Sequence, residues 1–308
     1  MTNLRAVVFA YSEVGFVCLE ELLRQGTDVK AVFTHEDDPS EERWFPSVAK
    51  LAREADIPVL TPETLGDEEY RLVKSLRPEA IFSFYYRSMI AERFLRIPPQ
   101  GAFNMHGSLL PKYRGRACIN WAILNGETET GATLHHMVKR ADAGDIVDQE
   151  PVPILFEETA LDISRKVAEA ARIILERTLP AVAEGTASRT PQNEAEATYF
   201  GRRTPADGRI SWRKSAVSIH NLVRAVTRPF PGAFTFFEGK KLFLWRTTTE
   251  EELPFAEALP GTVLSVDPFR VAADRDILRV LRRQWEGGEE QGDDGPETVV
   301  KKGDLLGG

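Results

Sequence analysis

The stretch Gly101-Ala-Phe-Asn-Met-His-Gly-Ser-Leu-Leu-Pro-Lys-Tyr-Arg-Gly-Arg116 begins as a β-strand and ends as a polar loop. Asn104 and His106 are two residues apart, so on an extended chain both side chains leave from one face. Phe103 and Met105 take the other face, into packing. Gly107, Ser108 and Pro111 then turn the chain. An amide donor and a titratable imidazole thus arrive together at a strand end, the place where an open parallel α/β sheet presents groups to a ligand.

Upstream, short apolar runs alternate with amphipathic ones. Strands are expected at Val7–Ala10, Val29–Thr34, Ile57–Leu60 and Ala80–Phe84, and helices at Gly15–Gln25, Ser47–Ala55, Glu68–Leu76 and Ser88–Leu95. That alternation predicts a Rossmann-like, mostly parallel sheet with helices on both faces. Tyr85-Tyr86-Arg87 falls at a second strand end. The first turn, Ala10-Tyr-Ser-Glu-Val-Gly15, is not Gly-x-Gly-x-x-Gly, so a dinucleotide site is not supported. The segment Glu36–Glu42 reads as an acidic surface loop.

Downstream, Gly131–Met137 and Asp145–Pro151 read as sheet-edge strands around Lys139-Arg-Ala-Asp-Ala-Gly144. Leu161–Leu179 is the longest helix candidate, closed by Pro180. Thr186–Gly208 is polar and turn-rich and reads as a linker. A helix at Ala216–Val226 precedes strands at Ala233–Phe237, Lys241–Arg246, Gly261–Val266, Phe269–Ala272 and Ile277–Arg283, which predict a small β-barrel, OB-like, C-terminal domain. Residues 287–295 read as an acidic, glycine-rich surface loop. The expected division is an N-terminal domain over residues 1–190 and a C-terminal domain over 205–308.

The net charge of −8, with 47 acidic against 39 basic residues, argues against a nucleic-acid partner. Cys18 and Cys118 are far apart and the histidines form no ligand spacing, so no metal site is expected. No run reaches membrane-span length and none resembles a signal peptide, so a cytoplasmic protein with no membrane partner is expected. Assembly into a homo-oligomer stays open.

Three features can carry chemistry. Asn104 can hold a developing oxyanion and His106 can exchange a proton near neutral pH. A strand-end histidine satisfied by backbone groups is the competing reading. A carboxylate that reaches the imidazole would orient it, and Asp142 and Asp145 both qualify by this argument. Lys112-Tyr-Arg-Gly-Arg116 suits phosphate or carboxylate recognition, against the alternative of a solvated basic loop. His135 and His136 fall on opposite faces of a strand and, with His35 and His220, read as structural or exposed.

In this order, Asn104-Met-His106, Ser108-Leu-Leu-Pro111, Arg114-Gly115 and Asp142-Ala-Gly144 resemble the formyltransferases that use 10-formyltetrahydrofolate. Arg228-Pro-Phe-Pro-Gly-Ala233 resembles a marker of that family's C-terminal domain. Within the family, Val8-Phe-Ala-Tyr11, Phe33-Thr-His35, Ile81-Phe-Ser-Phe-Tyr-Tyr-Arg87, Asn125-Gly-Glu-Thr-Glu-Thr-Gly131, Met137-Val-Lys-Arg140 and Phe200-Gly-Arg-Arg-Thr-Pro205 are similar to formyltransferases acting on UDP-4-amino-4-deoxy-L-arabinose, a step of lipid A modification and polymyxin resistance.

The resemblance implies 10-formyltetrahydrofolate as formyl donor, no metal, and a nucleotide-linked amino sugar as acceptor. It implies Asn104 as oxyanion stabiliser, His106 as acid/base and Asp142 as the carboxylate that stabilises the protonated ring. It also implies donor contacts from Ser88, Met89, Ile90, Arg116, Val138, Lys139, Arg140, Ala141 and Asp142. The alternatives are another UDP- or dTDP-amino sugar, methionyl-tRNA, or a non-catalytic folate-binding role. One departure is Cys118, where the family usually has proline.

Overall fold

The computed structural model describes residues 4–36, 44–250, 258–293, 295 and 299–307. All but one residue of the acidic segment Glu36–Glu42 therefore lie outside the described residues, as does Asp294 of the loop at 287–295.

Two compact units emerge. The first draws on Met1–Cys118, Glu129–Pro153 and Ile163–Gly201. In chain order its elements are β1 (Arg5–Ala10), α1 (Ser12–Arg24), β2 (Asp28–Phe33), α2 (Val48–Glu54), β3 (Val59–Leu60), α3 (Asp67–Ser75), β4 (Ala80–Phe84), α4 (Glu92–Leu95), β5 (Gly101–His106) and β6 (Arg114–Gly115). After α5 (Cys118–Leu124), most of which packs in the second unit, come β7 (Glu129–His136), β8 (Ile146–Pro153), α6 (Ala160–Ala183) and β9 (Tyr199–Phe200).

The main sheet has the order β3-β2-β1-β4-β5-β7-β8. The five strands up to β5 are parallel, and β7 and β8 are antiparallel. The apolar runs form its core: Val7, Phe9, Phe33, Ile81, Phe82 and Phe103 are fully buried. The connections reverse direction between β1 and β4, which opens a crevice beyond their carboxyl ends. Tyr11 and Tyr85 follow those two ends.

Four expectations shift. The helix expected over Ser88–Leu95 is confined to Glu92–Leu95, because the chain bends at Ser88, buries Ile90 beside Phe94 and Ala102, and enters the helix through an extended Ala91. The helix expected to stop before Pro180 continues to Ala183. Pro180 lies on its exposed face, and the carbonyl that loses its partner belongs to the exposed Glu176, while Leu179 and Val182 stay buried. β7 is not an edge strand but lies between β5 and β8. The segment read as a linker is built into the first unit as far as Gly201, where β9 pairs with β6. Its polar residues form specific hydrogen bonds, described below, which composition does not distinguish from solvation.

The second unit draws on Ile119–Thr128, Ile154–Asp162 and Arg202–Gly308. Its elements are α7 (Ala216–Val226), β10 (Ala233–Phe237), β11 (Lys240–Glu250), β12 (Val263–Val266), β13 (Phe269–Ala272), β14 (Ile277–Trp285) and β15 (Glu290–Gly292). The antiparallel order is β10-β11-β14-β13-β12, with β15 on β14. The chain end links the two outer strands. Leu306 N donates to Gly261 O beside β12 at 2.9 Å, and Gly307 N donates to Phe236 O of β10 at 2.8 Å. These bonds close the sheet in the manner of a barrel.

Candidate active site

The parallel sheet delivers Asn104 and His106 to the end of β5. Across the strand pair, Asn104 faces His135 and His106 faces Thr133. Asn104 Nδ2 lies 3.1 Å from His135 Nε2. His135 Nδ1 is 2.9 Å from the His136 carbonyl, which only accepts, so that nitrogen carries the proton and Nε2 accepts from Asn104. By the same logic His106 Nε2 donates to the Tyr113 carbonyl at 2.8 Å, leaving Nδ1 to face Asp142.

Asp142 joins this pair from the connection after β7. Its Oδ1 lies 3.7 Å from His106 Nδ1 and 3.6 Å from His135 Nε2, and Oδ2 accepts from Gly115 N at 2.9 Å. Burial opposes its charge, but the adjacent His106 ring and the Gly115 N–H hold the carboxyl well below the usual carboxylate range. The choice between Asp142 and Asp145 is made by this placement. Asp145 turns away, its carboxylate 4.0 Å from Arg189.

Two glycines permit the close approach. A Cβ at Gly144 would sit 1.8 Å from the His136 carbonyl oxygen, and one at Gly107 would sit 1.8 Å from the Tyr85 hydroxyl. The loop after His106 is also fixed from below. Ser108 Oγ donates to Lys112 O at 2.7 Å, and Leu110 N donates to Thr133 Oγ1 at 3.1 Å. Cys118 is the first helical residue of α5, the position at which proline is best tolerated, so replacing proline there leaves the helix start intact.

The remaining residues singled out from the sequence divide. Ile90 is buried, and Met137 packs against the same cluster, which brings the segments around Met89 and Val138 to one part of the unit. Met89 is 68 % exposed and Val138 46 % exposed, which leaves two apolar side chains uncovered in that part of the unit. Ser88 is half-buried, and Lys139, Arg140 and Ala141 are exposed. Arg140 is engaged by Glu194 at 3.0 Å and lies over the Tyr199 ring. Arg116 and Lys112 are exposed, with Arg116 N bonded to Phe200 O at 2.9 Å.

Arg114 corrects the reading of a basic wall. It is fully buried, and its guanidinium is spent on Gln192, Glu194 and Tyr199. Two-residue spacing alone would put Arg114 and Arg116 on one face, but β6 ends at Gly115, whose φ of +99° turns the chain, so Arg114 is buried while Arg116 is exposed.

His135 is the residue that sequence reasoning set aside. It is buried and touches both Asn104 and Asp142. Only the β5–β7 register brings it there, and no local spacing signals it. The other three histidines are structural. His136 donates to Ser188 O at 2.9 Å, His35 accepts from Arg87 N at 3.0 Å, and His220 donates to Phe156 O at 3.0 Å. Burial holds all three rings below their ordinary titration range. Among the described residues no metal-ligand cluster exists, and no helix is long and apolar enough to cross a membrane.

Residues 5–179 match the family described as formyl transferase, and residues 202–292 match formyl transferase, C-terminal domain. The chain belongs to the formyl transferase family. Solved structures with this fold include WlaRD, a sugar 3N-formyl transferase determined with dTDP and 5-N-formyl-THF (21 % identity, TM-score 0.68, covering 90 % of this chain and 97 % of that one). An N-formyltransferase from Helicobacter canadensis, in complex with folinic acid and dTDP-3-aminofucose, is similar at 23 % identity and TM-score 0.68, covering 90 % and 98 %. A 4-N formyltransferase from Francisella tularensis matches at 20 % identity and TM-score 0.65, covering 79 % and 97 %.

Proposed function

We propose that this family member transfers a formyl group from 10-formyltetrahydrofolate to the amino group of a nucleotide-linked amino sugar, with UDP-4-amino-4-deoxy-L-arabinose as the acceptor. The observation that carries this reading is the convergence of Asn104, His106 and Asp142 at one strand end. The formyl donor supplies an electrophilic carbon. The surfaces that fit it are the exposed Met89 and Val138 side chains, with Ser88, Ile90, Arg116 and the 139–142 backbone around them.

Each site group then has a task. Asn104 commits one N–H to His135, and at 3.5 Å Asp142 is too distant to hold the other firmly. That second N–H is available to an oxygen gaining negative charge. His106 Nδ1 takes the proton that the attacking amine sheds and returns it to the departing nitrogen. Asp142, already ionised, stabilises the ring while it carries that proton. His135 fixes the Asn104 amide in the donating orientation. The amine must react in its neutral form.

The sequence stretches similar to UDP-4-amino-4-deoxy-L-arabinose formyltransferases support a UDP-linked acceptor, which would place the product in lipid A modification. The dTDP ligands named for two of the similar structures make dTDP-amino sugars the rival acceptors. The test supplies 10-formyltetrahydrofolate with UDP-4-amino-4-deoxy-L-arabinose, a panel of dTDP-amino sugars, and charged initiator tRNA, and follows tetrahydrofolate release. Turnover only with dTDP-amino sugars would reassign the nucleotide. Turnover only with tRNA, or with nothing, would overturn the proposal.

A further inference from the structure

Asp142 is held in its reactive place by residues that arrive fifty positions later. Its backbone has φ +56°, the left-handed region that costs a non-glycine residue roughly 1 kcal/mol or more and persists only where the surroundings impose it. The imposing group is Gln192. Its Nε2 donates to the Asp142 carbonyl at 2.9 Å and to the Gly144 carbonyl at 2.7 Å, so one amide spans the turn. The other end of that amide, Oε1, accepts two bonds from Arg114, at 3.0 Å from Nε and 2.7 Å from Nη2. The amide orientation is forced, because a guanidinium only donates and the two carbonyls only accept. Arg114 is in turn fixed by Glu194 and by the Tyr199 hydroxyl, at 2.7 Å each.

The segment carrying Gln192 is tied down on both sides of the site. Thr190 exchanges backbone bonds with Ile146, just beyond the Asp142 turn. At its other end the Thr198 hydroxyl accepts from Tyr113 N at 2.8 Å, the Thr198 carbonyl accepts from Arg114 N at 2.9 Å, and the Tyr113 and Phe200 rings stack. Tyr113 is also the residue whose carbonyl holds His106. Residues 190–200 therefore form a strap joining the loop that fixes His106 to the turn that fixes Asp142.

We infer that Gln192, oriented by Arg114, is a positioning residue that sets the distance between the Asp142 carboxylate and the His106 and His135 rings. The inference rests on the proposed role of Asp142 for its kinetic consequence but not for its geometric one, and the experiment separates the two. Gln192→Glu keeps oxygens for Arg114 and removes the donor to the two carbonyls. Histidine-selective NMR and steady-state turnover, with 10-formyltetrahydrofolate and UDP-4-amino-4-deoxy-L-arabinose, are recorded for wild type, Gln192→Glu, Asp142→Asn and the double variant.

The expected result is that the His106 and His135 signals in Gln192→Glu move toward those of Asp142→Asn. The kcat should fall tenfold to about a hundredfold, as for a catalytic group displaced by about an ångström, with the acceptor KM little changed. The pH–rate profile should shift in the same direction as in Asp142→Asn. The double variant should be no worse than Asp142→Asn alone. Wild-type histidine signals and kcat in Gln192→Glu, or a full additional loss in the double variant, would overturn the inference. If Asp142→Asn turns over normally while Gln192→Glu still moves the two signals, the positioning stands and the role given to Asp142 falls. Should Gln192→Glu not fold, Gln192→Met, similar in length and unable to bond at either end, is read by the same signals.

Discussion

The two arms of the candidate site are built in different ways. The Asn104–His106 arm is part of β5, with β4 on one side and β7 on the other, so hydrogen-bond ladders already needed for the sheet fix both side chains. The Asp142 arm lies on a connection between strands and in a left-handed backbone conformation. It has no ladder of its own and depends on Gly144, Gly115, Gln192 and, through Gln192, on Arg114. A strand positions by repetition, whereas a loop must be positioned by individually placed partners. The second arm should therefore be the more fragile to changes that leave the sheet intact.

Asp142→Asn should have the largest effect. It keeps the volume and removes the charge facing both imidazoles, so kcat should fall on the order of a hundredfold or more, and the thermal midpoint should fall as well because the ionised carboxylate stabilises the fold at neutral pH. Full turnover in this variant would erase the distinction between the arms. Gly144→Ala should follow. A Cβ 1.8 Å from the His136 oxygen forces the turn away from β7, so kcat should drop roughly tenfold and the thermal midpoint should fall with it. Near-normal kinetics would mean that the turn is not tightly held.

Arg114 and Arg116 sharpen the comparison within a single loop. Arg114→Ala strips the guanidinium partner from the Gln192 Oε1 and empties a buried volume, and should lower the thermal midpoint on the order of 5 °C by calorimetry. Arg116→Ala should leave the midpoint unchanged and raise the KM for the formyl donor a few-fold, roughly the effect of one charge-assisted contact.

The smallest effect concerns pH. His35, His136 and His220 are held below their ordinary range in the folded state, so the unfolded chain binds more protons once the pH drops beneath about 6.5. Stability should then fall progressively with acidification, seen as a declining urea midpoint between neutral pH and pH 5. The depressed Asp142 acts in the same direction only further down. Its contribution is full above about pH 4 and lost as the pH falls through its folded value. His136→Gln should flatten the first decline, and an unchanged slope would remove His136 from the account.

Much of this arrangement was legible in the chain. The apolar runs gave the parallel strands, and the two-residue spacing of Asn104 and His106 put both on one face of β5. By residue chemistry Asp142 is one of two equivalent carboxylates, because chemistry without distance does not separate it from Asp145, and only the resemblance of Asp142-Ala-Gly144 to the family motif singles it out. Arg114 was read as a ligand-facing cation because its burial depends on Gln192, Glu194 and Tyr199, which lie about eighty residues away and looked like solvated linker. His135 was set aside because its partner is defined by strand register rather than by its neighbours in sequence.

The sequence by itself determined which residues alternate in and out of each element and which chemistry they carry. These are local properties, imposed by the two-residue repeat of a strand and the turn of a helix. Tertiary structure alone decided which carboxylate meets the imidazole, which arginine is consumed inside the fold, and that a polar segment near residue 192 holds the turn at residue 142. Those outcomes depend on distances between segments far apart in the chain. Only the closed network of hydrogen bonds fixes them, because a buried donor or acceptor left unmatched costs more than any local preference can return.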